Sequence, residues 1–396
     1  MQPRPIVMRR HTLPFLAALS LLALPGLSGC GSSFFTNTNS SGCGSFFHDS
    51  SCDSSGGSGT SANNYAFVVN SQGGSVAGLG ISSAGALAAL SGSPISISTS
   101  QPTAAAVSRN NGFLYVGNAS EIFGYSISST GVLTSLNSGS ALVNANVTDM
   151  QVSPDGNWLM VLDGSGQGID LFSINSTTGA LTAQQGIGFT LPNSGTIPYH
   201  LRINPAGTIV AAAMGVGGQI LFNFNTSSGA FSQLSTTPAV DSLTADRGLA
   251  WDPTGKYLFL TRTGNSQGLL VESVASNGAL TPTTTKIYGT GNTPTSVAVN
   301  SAGTYVYVTN QADSTVTGYS IDTNEALTAV PGSPFSSGIG ATSIGIDSSG
   351  KWVLVAASGG SPDLTLYGFD STNPGRLYVV SSSATGTGAS FVALSH

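Results

Sequence analysis

The feature that most constrains the fold is a unit that recurs seven times between residue 65 and the end of the chain. Its clearest element is a short run of β-favouring residues, such as 115–118 (YVGN) and 307–310 (YVTN), and successive runs lie 45 to 51 residues apart. A glycine turn precedes the run in six of the copies, and a second turn with an apolar pair follows it. Landmarks in a fixed order, repeated every 40 to 50 residues or so, indicate a unit of about four strands.

Seven such units predict an all-β fold, a seven-bladed β-propeller of four-stranded antiparallel blades over residues 64–396. The first copy opens at Tyr65 with the second strand of a blade and lacks an inner strand before it. The segment 388–395 (GASFVALS) matches the inner-strand segment 340–347 (GATSIGID). We therefore expect the carboxyl-terminal strand to pair into the first blade, which closes the ring and leaves no open sheet edge between first and last blades.

Composition supports the all-β prediction and narrows the classes of partner. Charged residues make up 7% of the 396 residues, whereas helical surfaces are rich in Lys and Glu, so a large helical or α/β protein is excluded. Disorder is excluded because 40% of the residues are hydrophobic. The net charge of −6 gives no broad basic surface, so we expect no nucleic-acid partner.

The amino terminus has the features of an export signal. Arg9 and Arg10 precede an apolar run over 13–27, and the run ends in Leu-Ser-Gly before Cys30. This ending resembles the lipobox of bacterial lipoproteins, which implies that residues 1–29 are removed and that Cys30 carries a lipid. We expect an exported protein, anchored to the cell envelope at the outer membrane. The alternative is an ordinary cleaved signal peptide with an incidental cysteine.

Residues 30–63 are dominated by Ser, Gly and Asn and are typical of a flexible tether. With Cys30 lipidated, Cys43 and Cys52 remain as a pair, and an oxidising compartment favours a disulfide between them. Two free thiols are the alternative. His48 lies between the two cysteines, but no spacing of four ligands is present, so we expect no metal and no cofactor.

Several motifs resemble a known family. The run 307–310 with Pro294 ahead of it is similar to the YVTN-type propeller repeat, and the turns 179–182 and 278–281 (GALT) resemble those of the seven-bladed lactonase family, which includes 6-phosphogluconolactonases. The resemblance implies a propeller and hydrolysis of a lactone ester.

One segment of the fourth repeat is similar to a Pro-Arg-His strand of those lactonases and the turn that follows it. The matching positions are Pro198, His200, Asn204, Pro205 and Gly207. Tyr199 replaces the family's arginine. The family also tends to end neighbouring second strands with acidic residues, whereas this sequence has Met214 and Arg262 there, which argues against hydrolase activity.

The inner strands show where a site could lie. The positions seven and five residues before the turn glycine are mostly small, but the third repeat has Asp149 and Gln151 there, and the fourth has His200 and Arg202. Because these strands are neighbours, we expect the four side chains to lie close together near the mouth of the central channel. A buried charge is costly unless it is paired or functional.

More charged residues fall in the same sector. Asp246 and Arg247 enter the next inner strand, whereas Asp163 and Arg262 end second strands on the same face. One interpretation is a polar ligand site, in which arginines bind a carboxylate or phosphate and His200 acts as acid or base. The alternative is a structural network of Asp149–Arg202 and Asp246–Arg247 ion pairs that fills the tunnel.

Two functions therefore stay open. The first is a lipid-anchored monomer that binds a small polar or anionic ligand, or a protein or glycan at the cell surface, without turnover. The ligand-binding residues would be Asp149, Gln151, Asp163, Asp246, Arg247 and Arg262. The second is a lactone hydrolase of the 6-phosphogluconolactonase type, with His200 and Arg202 as its catalytic residues.

Overall fold

The computed structural model describes residues 64–97, 101–165, 168–190, 196–284 and 286–396. Cys30, Cys43, Cys52 and the predicted signal and tether lie outside these residues, so those expectations stay predictions. The described residues form 31 strands in seven antiparallel sheets, which confirms the predicted seven-bladed propeller. No helix in this part of the chain could span a membrane.

The strands follow one order in every blade, from the inner strand at the channel to the outer strand. Blades one to three contain β1 (Tyr65–Asn70), β2 (Ser75–Ile81), β3 (Leu87–Ala89), β4 (Ile95–Ser96), β5 (Pro102–Val107), β6 (Phe113–Asn118), β7 (Glu121–Ile127), β8 (Leu133–Ser135), β9 (Val143–Asn144), β10 (Val147–Val152), β11 (Trp158–Asp163), β12 (Gly168–Ile174) and β13 (Leu181–Gly188). Blades four and five contain β14 (His200–Ile203), β15 (Ile209–Ala213), β16 (Gln219–Asn225), β17 (Ala230–Thr237), β18 (Ala245–Trp251), β19 (Tyr257–Thr263), β20 (Gly268–Val274) and β21 (Leu280–Pro282). Blades six and seven contain β22 (Pro294–Val299), β23 (Tyr305–Asn310), β24 (Thr315–Ile321), β25 (Leu327–Ala329), β26 (Phe335–Ser336), β27 (Ala341–Ile346), β28 (Trp352–Ala357), β29 (Leu364–Phe369) and β30 (Leu377–Ser383), and the chain ends with β31 (Ala389–Leu394).

Three blades differ from the predicted four strands because their outer strand is divided in two. β3 and β4 both pair with β2, β8 and β9 with β7, and β25 and β26 with β24. In the first and sixth blades a Gly-Ser-Pro segment separates the two pieces, and proline cannot donate a hydrogen bond to a sheet ladder. The serine compensates: the Oγ atoms of Ser93 and Ser333 accept hydrogen bonds from the N–H groups of Gly78 (2.8 Å) and Gly318 (2.9 Å).

Apolar side chains are buried between the blades. Seven clusters each combine residues of two neighbouring blades, as when Met160 and Leu162 of the third blade pack with Leu201 and Phe222 of the fourth. Each sheet is therefore covered on both faces, which explains why the second strands are continuous apolar runs. The inner strands are left with one free edge along the central axis.

The carboxyl-terminal strand closes the ring as expected. β31 pairs antiparallel with β1, from Ala66 opposite Leu394 to Asn70 opposite Ala389. Ser395 extends the contact, because its Oγ accepts a hydrogen bond from the N–H of Tyr65 at 2.8 Å. The first blade is thus built from both ends of the propeller.

A chain that ends at Gly388 tests this closure. Removing β31 exposes the edge of β1 and deletes the buried Val392 and Ala393, so we expect the melting temperature to fall by about 10 °C or more in calorimetry. As a control, Val379→Asp on the exposed face of β30 should change it little, whereas Val392→Asp should lower it. An unchanged melting temperature of the truncated chain would contradict the closure.

Candidate functional site

Each inner strand carries a β-bulge close to its start. In β27, Ala341 pairs with Ala357 and Ser343 with Ala356, so Thr342 is the extra residue. The extra residues of the other inner strands are Thr103, Thr148, Arg247, Thr295 and Ser390. In the fourth blade the extra residue is Tyr199, whose N–H donates to the Ala213 carbonyl opposite His200. A bulge re-aims a side chain, and here it does so around the axis.

The seven bulge residues line a cavity of about 180 Å³ at the end of the axis where the inner strands begin, together with Asp149, His200 and Phe391. We call it the upper cavity. Three of its threonines donate their hydroxyl hydrogens to backbone carbonyls of the next inner strand, Thr103 to Val147 at 2.6 Å, Thr342 to Ala389 at 3.0 Å and Thr295 to Ala341 at 3.3 Å. These hydroxyls join neighbouring blades and can only accept hydrogen bonds from a ligand.

Arg247 and Tyr199 break the pattern of small bulge residues, and they interact with each other. The Cζ atom of Arg247 lies 4.0 Å from the centre of the Tyr199 ring. The Nε of Arg247 is buried without a hydrogen-bond partner, and the side chain forms no ion pair with any described residue. A half-buried guanidinium that is stacked but not neutralised can bind an anion or a carbonyl oxygen.

His200 lines the same cavity and is held in its neutral form. Burial lowers the pKa of His200 to about 4, the nearby charge of Arg202 lowers it further, and Asp149 partly opposes both effects. The Nδ1 atom is buried without a hydrogen-bond partner. At neutral pH the imidazole is therefore unprotonated, as a general base must be, but its low pKa makes it a weaker base than a solvent-exposed histidine.

Asp149 and Arg202 form an ion pair of 2.6 Å, as the structural alternative predicted. The Asp149 carboxylate also accepts a hydrogen bond from the N–H of Leu201 at 2.9 Å, and Gln151 accepts one from Ile203 at 3.0 Å. The Asp149 and Gln151 side chains of the third blade thus accept hydrogen bonds from backbone N–H groups on the free edge of β14 in the fourth blade. Arg202 and Gln151 face a second cavity of about 560 Å³, the lower cavity, at the opposite end of the axis.

The expected Asp246–Arg247 pair is wrong. Asp246 pairs instead with Arg262, 2.6 Å from carboxylate oxygen to Nε, and both side chains are almost completely buried. The reason is the bulge, which turns Arg247 to the cavity while Asp246 stays opposite Arg262 in the ladder. Asp163 accepts a hydrogen bond from the Ser165 N–H in the turn after β11. Asp163, Asp246 and Arg262 line neither cavity.

The sequence did not reveal a second buried acid beside this pair. Glu272 in β20 accepts a hydrogen bond from the Gln219 side chain of the fourth blade at 3.0 Å. Burial raises the pKa of both Asp246 and Glu272, and Arg262 opposes the shift. Two carboxyl groups therefore share one guanidinium in a sealed pocket between the blades.

Tyr199 and the threonines of the upper cavity also went unrecognised, although a signal for them exists. The position eight residues before the turn glycine is Thr in the third, sixth and seventh repeats, Tyr in the fourth and Arg in the fifth. A comparison of this position across the repeats marks Tyr199 and Arg247 as the two large residues among threonines. No group of three or more His, Cys, Asp or Glu side chains in the described ranges is arranged to hold a metal ion.

Comparison with known proteins identifies the family. The family model described as "Lactonase, 7-bladed beta-propeller" matches residues 46–188 and 254–390, which together exceed half of the chain. The chain belongs to the Lactonase family of seven-bladed β-propellers. The matched segments leave out 189–253, the part that carries Tyr199, His200 and Arg247. The candidate site therefore lies outside the two matched segments, although residues 198–207 keep five positions that resemble the family's strand and turn.

Solved structures give the same fold at low sequence identity. A candidate 6-phosphogluconolactonase from Bacteroides fragilis is 19% identical, with a TM-score of 0.68 over 86% of this chain and 99% of its own. The periplasmic gluconolactonase of Pseudomonas aeruginosa is 17% identical, with a TM-score of 0.67 over 84% and 99%. No curated protein matches the sequence.

The buried acid pair predicts how stability depends on pH. Because burial raises the pKa of Glu272 in the native state, this group binds more proton there than in the unfolded chain above about pH 4.5, so its own contribution to the free energy of unfolding falls as pH rises through its native pKa. Glu272→Gln should stabilise the protein by about 1 kcal/mol at pH 8 and flatten this dependence in denaturant titrations. Glu121→Gln is the control. Equal pH dependence in wild type and Glu272→Gln would contradict the assignment.

Proposed function

We propose that this protein hydrolyses a lactone in the upper cavity. The observation that carries the proposal is that one small cavity is lined by Arg247, whose guanidinium lacks an anionic partner, and by a neutral His200, whose Nδ1 has no hydrogen-bond partner. A neutral base beside a cation suits ester hydrolysis, because negative charge develops on the carbonyl oxygen while water loses a proton.

The proposed reaction uses these two side chains in sequence. His200 takes a proton from water as the water oxygen attacks the lactone carbonyl carbon, and Arg247 donates a hydrogen bond to the oxygen that becomes negative. The bond between that carbon and the ring oxygen then breaks, and the imidazolium returns its proton to the ring oxygen. The product is the open-chain hydroxy acid, whose carboxylate faces Arg247.

The other charged groups support this centre. Arg202, which was expected to act directly, lies on the lower cavity and contributes through its charge, because it lowers the pKa of His200. Tyr199 holds the guanidinium of Arg247 by stacking. Membership of the Lactonase family supports the reaction class, and so does the gluconolactonase among the similar structures.

Ligand binding without turnover is the second candidate. It is favoured by Met214 and Arg262, which stand where the family tends to have acidic residues, and by the lack of a carboxylate partner for His200 Nδ1. The same cavity would then hold a carboxylate or another small anion through Arg247. Calorimetry with hydroxy acids and lactones separates the two candidates, because a pure binding site leaves the lactone intact.

The hydrolysis of sugar and aliphatic lactones by the purified protein tests the main proposal. We expect His200→Ala to lower kcat by about 10²- to 10⁴-fold and Arg247→Ala to lower kcat/KM. In wild type, kcat/KM should rise with pH through about 4 and then level off as His200 loses its proton. Arg376→Ala, whose side chain is half exposed on the surface, is the matched control. Absence of turnover, or turnover insensitive to His200→Ala, would overturn the mechanism.

We also propose that the protein is exported and held at the outer membrane by a lipid on Cys30. The support is the apolar run and the Leu-Ser-Gly-Cys sequence that ends it. Cys30→Ser should abolish incorporation of a labelled fatty acid into the protein in a bacterial host, as measured by autoradiography after immunoprecipitation. Cys43→Ser is the control. Equal labelling of Cys30→Ser and the unchanged protein would contradict the anchor.

A further inference from the structure

Exposed aliphatic side chains surround the end of the propeller that carries the upper cavity. Seven large hydrophobic residues are exposed in the described part of the chain, and five of them lie on the segments that lead from an outer strand to the next inner strand. The five residues are Ile197, Val240, Leu243, Ile287 and Ile339. Clusters of exposed apolar side chains mark binding surfaces rather than ordinary surface.

Three of the five lie on the two segments that lead into Tyr199 and Arg247. Ile197 precedes Tyr199 by two residues, and its carbonyl and the Tyr199 ring both pack around Gly215, where a Cβ would lie 3.1 Å and 2.9 Å from them. Val240 and Leu243 precede Arg247 on the neighbouring blade, and 67% of Leu243 is exposed. We call Ile197, Val240 and Leu243 the apolar rim.

The upper cavity is too small for a large ligand. Its volume of about 180 Å³ lies below the range of about 300 to 1,000 Å³ that is usual for small-molecule sites. A lactone ring fits such a space, and any substituent has to lie outside, across the segments that bear the rim. The rim therefore continues the proposed site rather than forming a separate surface.

The charges near the rim disfavour a phosphorylated ligand. The segments 189–199 and 238–246 contain no Lys or Arg, and their two charged residues are Asp241 and Asp246. Arg247 is the cation of the cavity itself, and the mechanism assigns it to the lactone carbonyl. A phosphate group on these two segments would find no cation, and Lys286 lies on another of the five segments, beside Ile287.

We propose, on the basis of the proposed hydrolysis, that the substrate is a lactone with an aliphatic substituent, whose chain packs on Ile197, Val240 and Leu243 while its ring occupies the upper cavity. Both parts of this site fall in residues 189–253, outside the segments that match the family. An exposed aliphatic surface is one that an alkyl chain can cover and that a polyhydroxy substituent would not bury favourably.

A series of γ-lactones with alkyl chains from methyl to hexyl tests the proposal on the full chain. We expect kcat/KM to rise by about two- to fourfold per methylene over the first members, since each buried methylene contributes a constant increment. Ile197→Ser and Leu243→Ser should flatten this dependence. Val379→Ser is the matched control, because Val379 and Ile197 are both 56% exposed but Val379 lies on the outer strand β30.

Binding of the same lactones to the His200→Ala variant, measured by calorimetry, separates this proposal from the hydrolysis. A Kd that improves with chain length and depends on the rim supports the apolar site even when no lactone is turned over. A flat series overturns it whether or not hydrolysis occurs. A preference of tenfold or more for a phosphorylated sugar lactone also overturns it. The apolar rim could instead bind a lipid surface, which binding to phospholipid vesicles measures. If Ile197→Ser and Leu243→Ser lose vesicle binding but keep the dependence of lactone affinity on chain length, the proposal is overturned.

Discussion

A β-bulge near the start of each inner strand determines what the centre of this propeller can contact. The inner strands stand with one edge toward the axis, and their side chains otherwise point into the apolar layers between blades. The bulge turns one residue out of that alternation and toward the axis. In the second, third, sixth and seventh blades that residue is a threonine, and three of these threonines tie their blade to the next by a hydrogen bond to a backbone carbonyl.

The candidate site lies where the residue at this position is not a small one. With Tyr199 and Arg247 at two adjacent bulges, the ring has a stacked guanidinium in place of two hydroxyl groups. The neighbouring residues are then placed by the register: His200 lines the same cavity as Tyr199, whereas Asp246 faces Arg262 inside the blade. Two adjacent residues, Asp246 and Arg247, thus have opposite roles, one in a sealed ion pair and one at a cavity.

Much of this was accessible from the sequence. The period of the landmarks predicted seven blades, and the match between residues 340–347 and 388–395 predicted the closing strand, because both depend on local patterns that the structure repeats. The concentration of charge in the third to fifth blades also indicated the sector in which Asp149, His200 and Arg247 line the upper cavity. The pairing of charges was not accessible, since Arg262 and Arg247 are equally plausible partners of Asp246 until the register is known. Glu272 was missed because its burial depends on Gln219 of another blade.

The sequence by itself determined the architecture and the family, because strand alternation, turn glycines and repeat length are properties of neighbouring residues in the chain. The tertiary structure decided which few polar groups meet. An extra residue in an inner strand reverses the direction of the side chains around it, and the resulting contacts join residues about 50 positions apart on different blades. The neutral His200 and the unpaired guanidinium of Arg247 come to line one cavity only when the blades are packed around one axis.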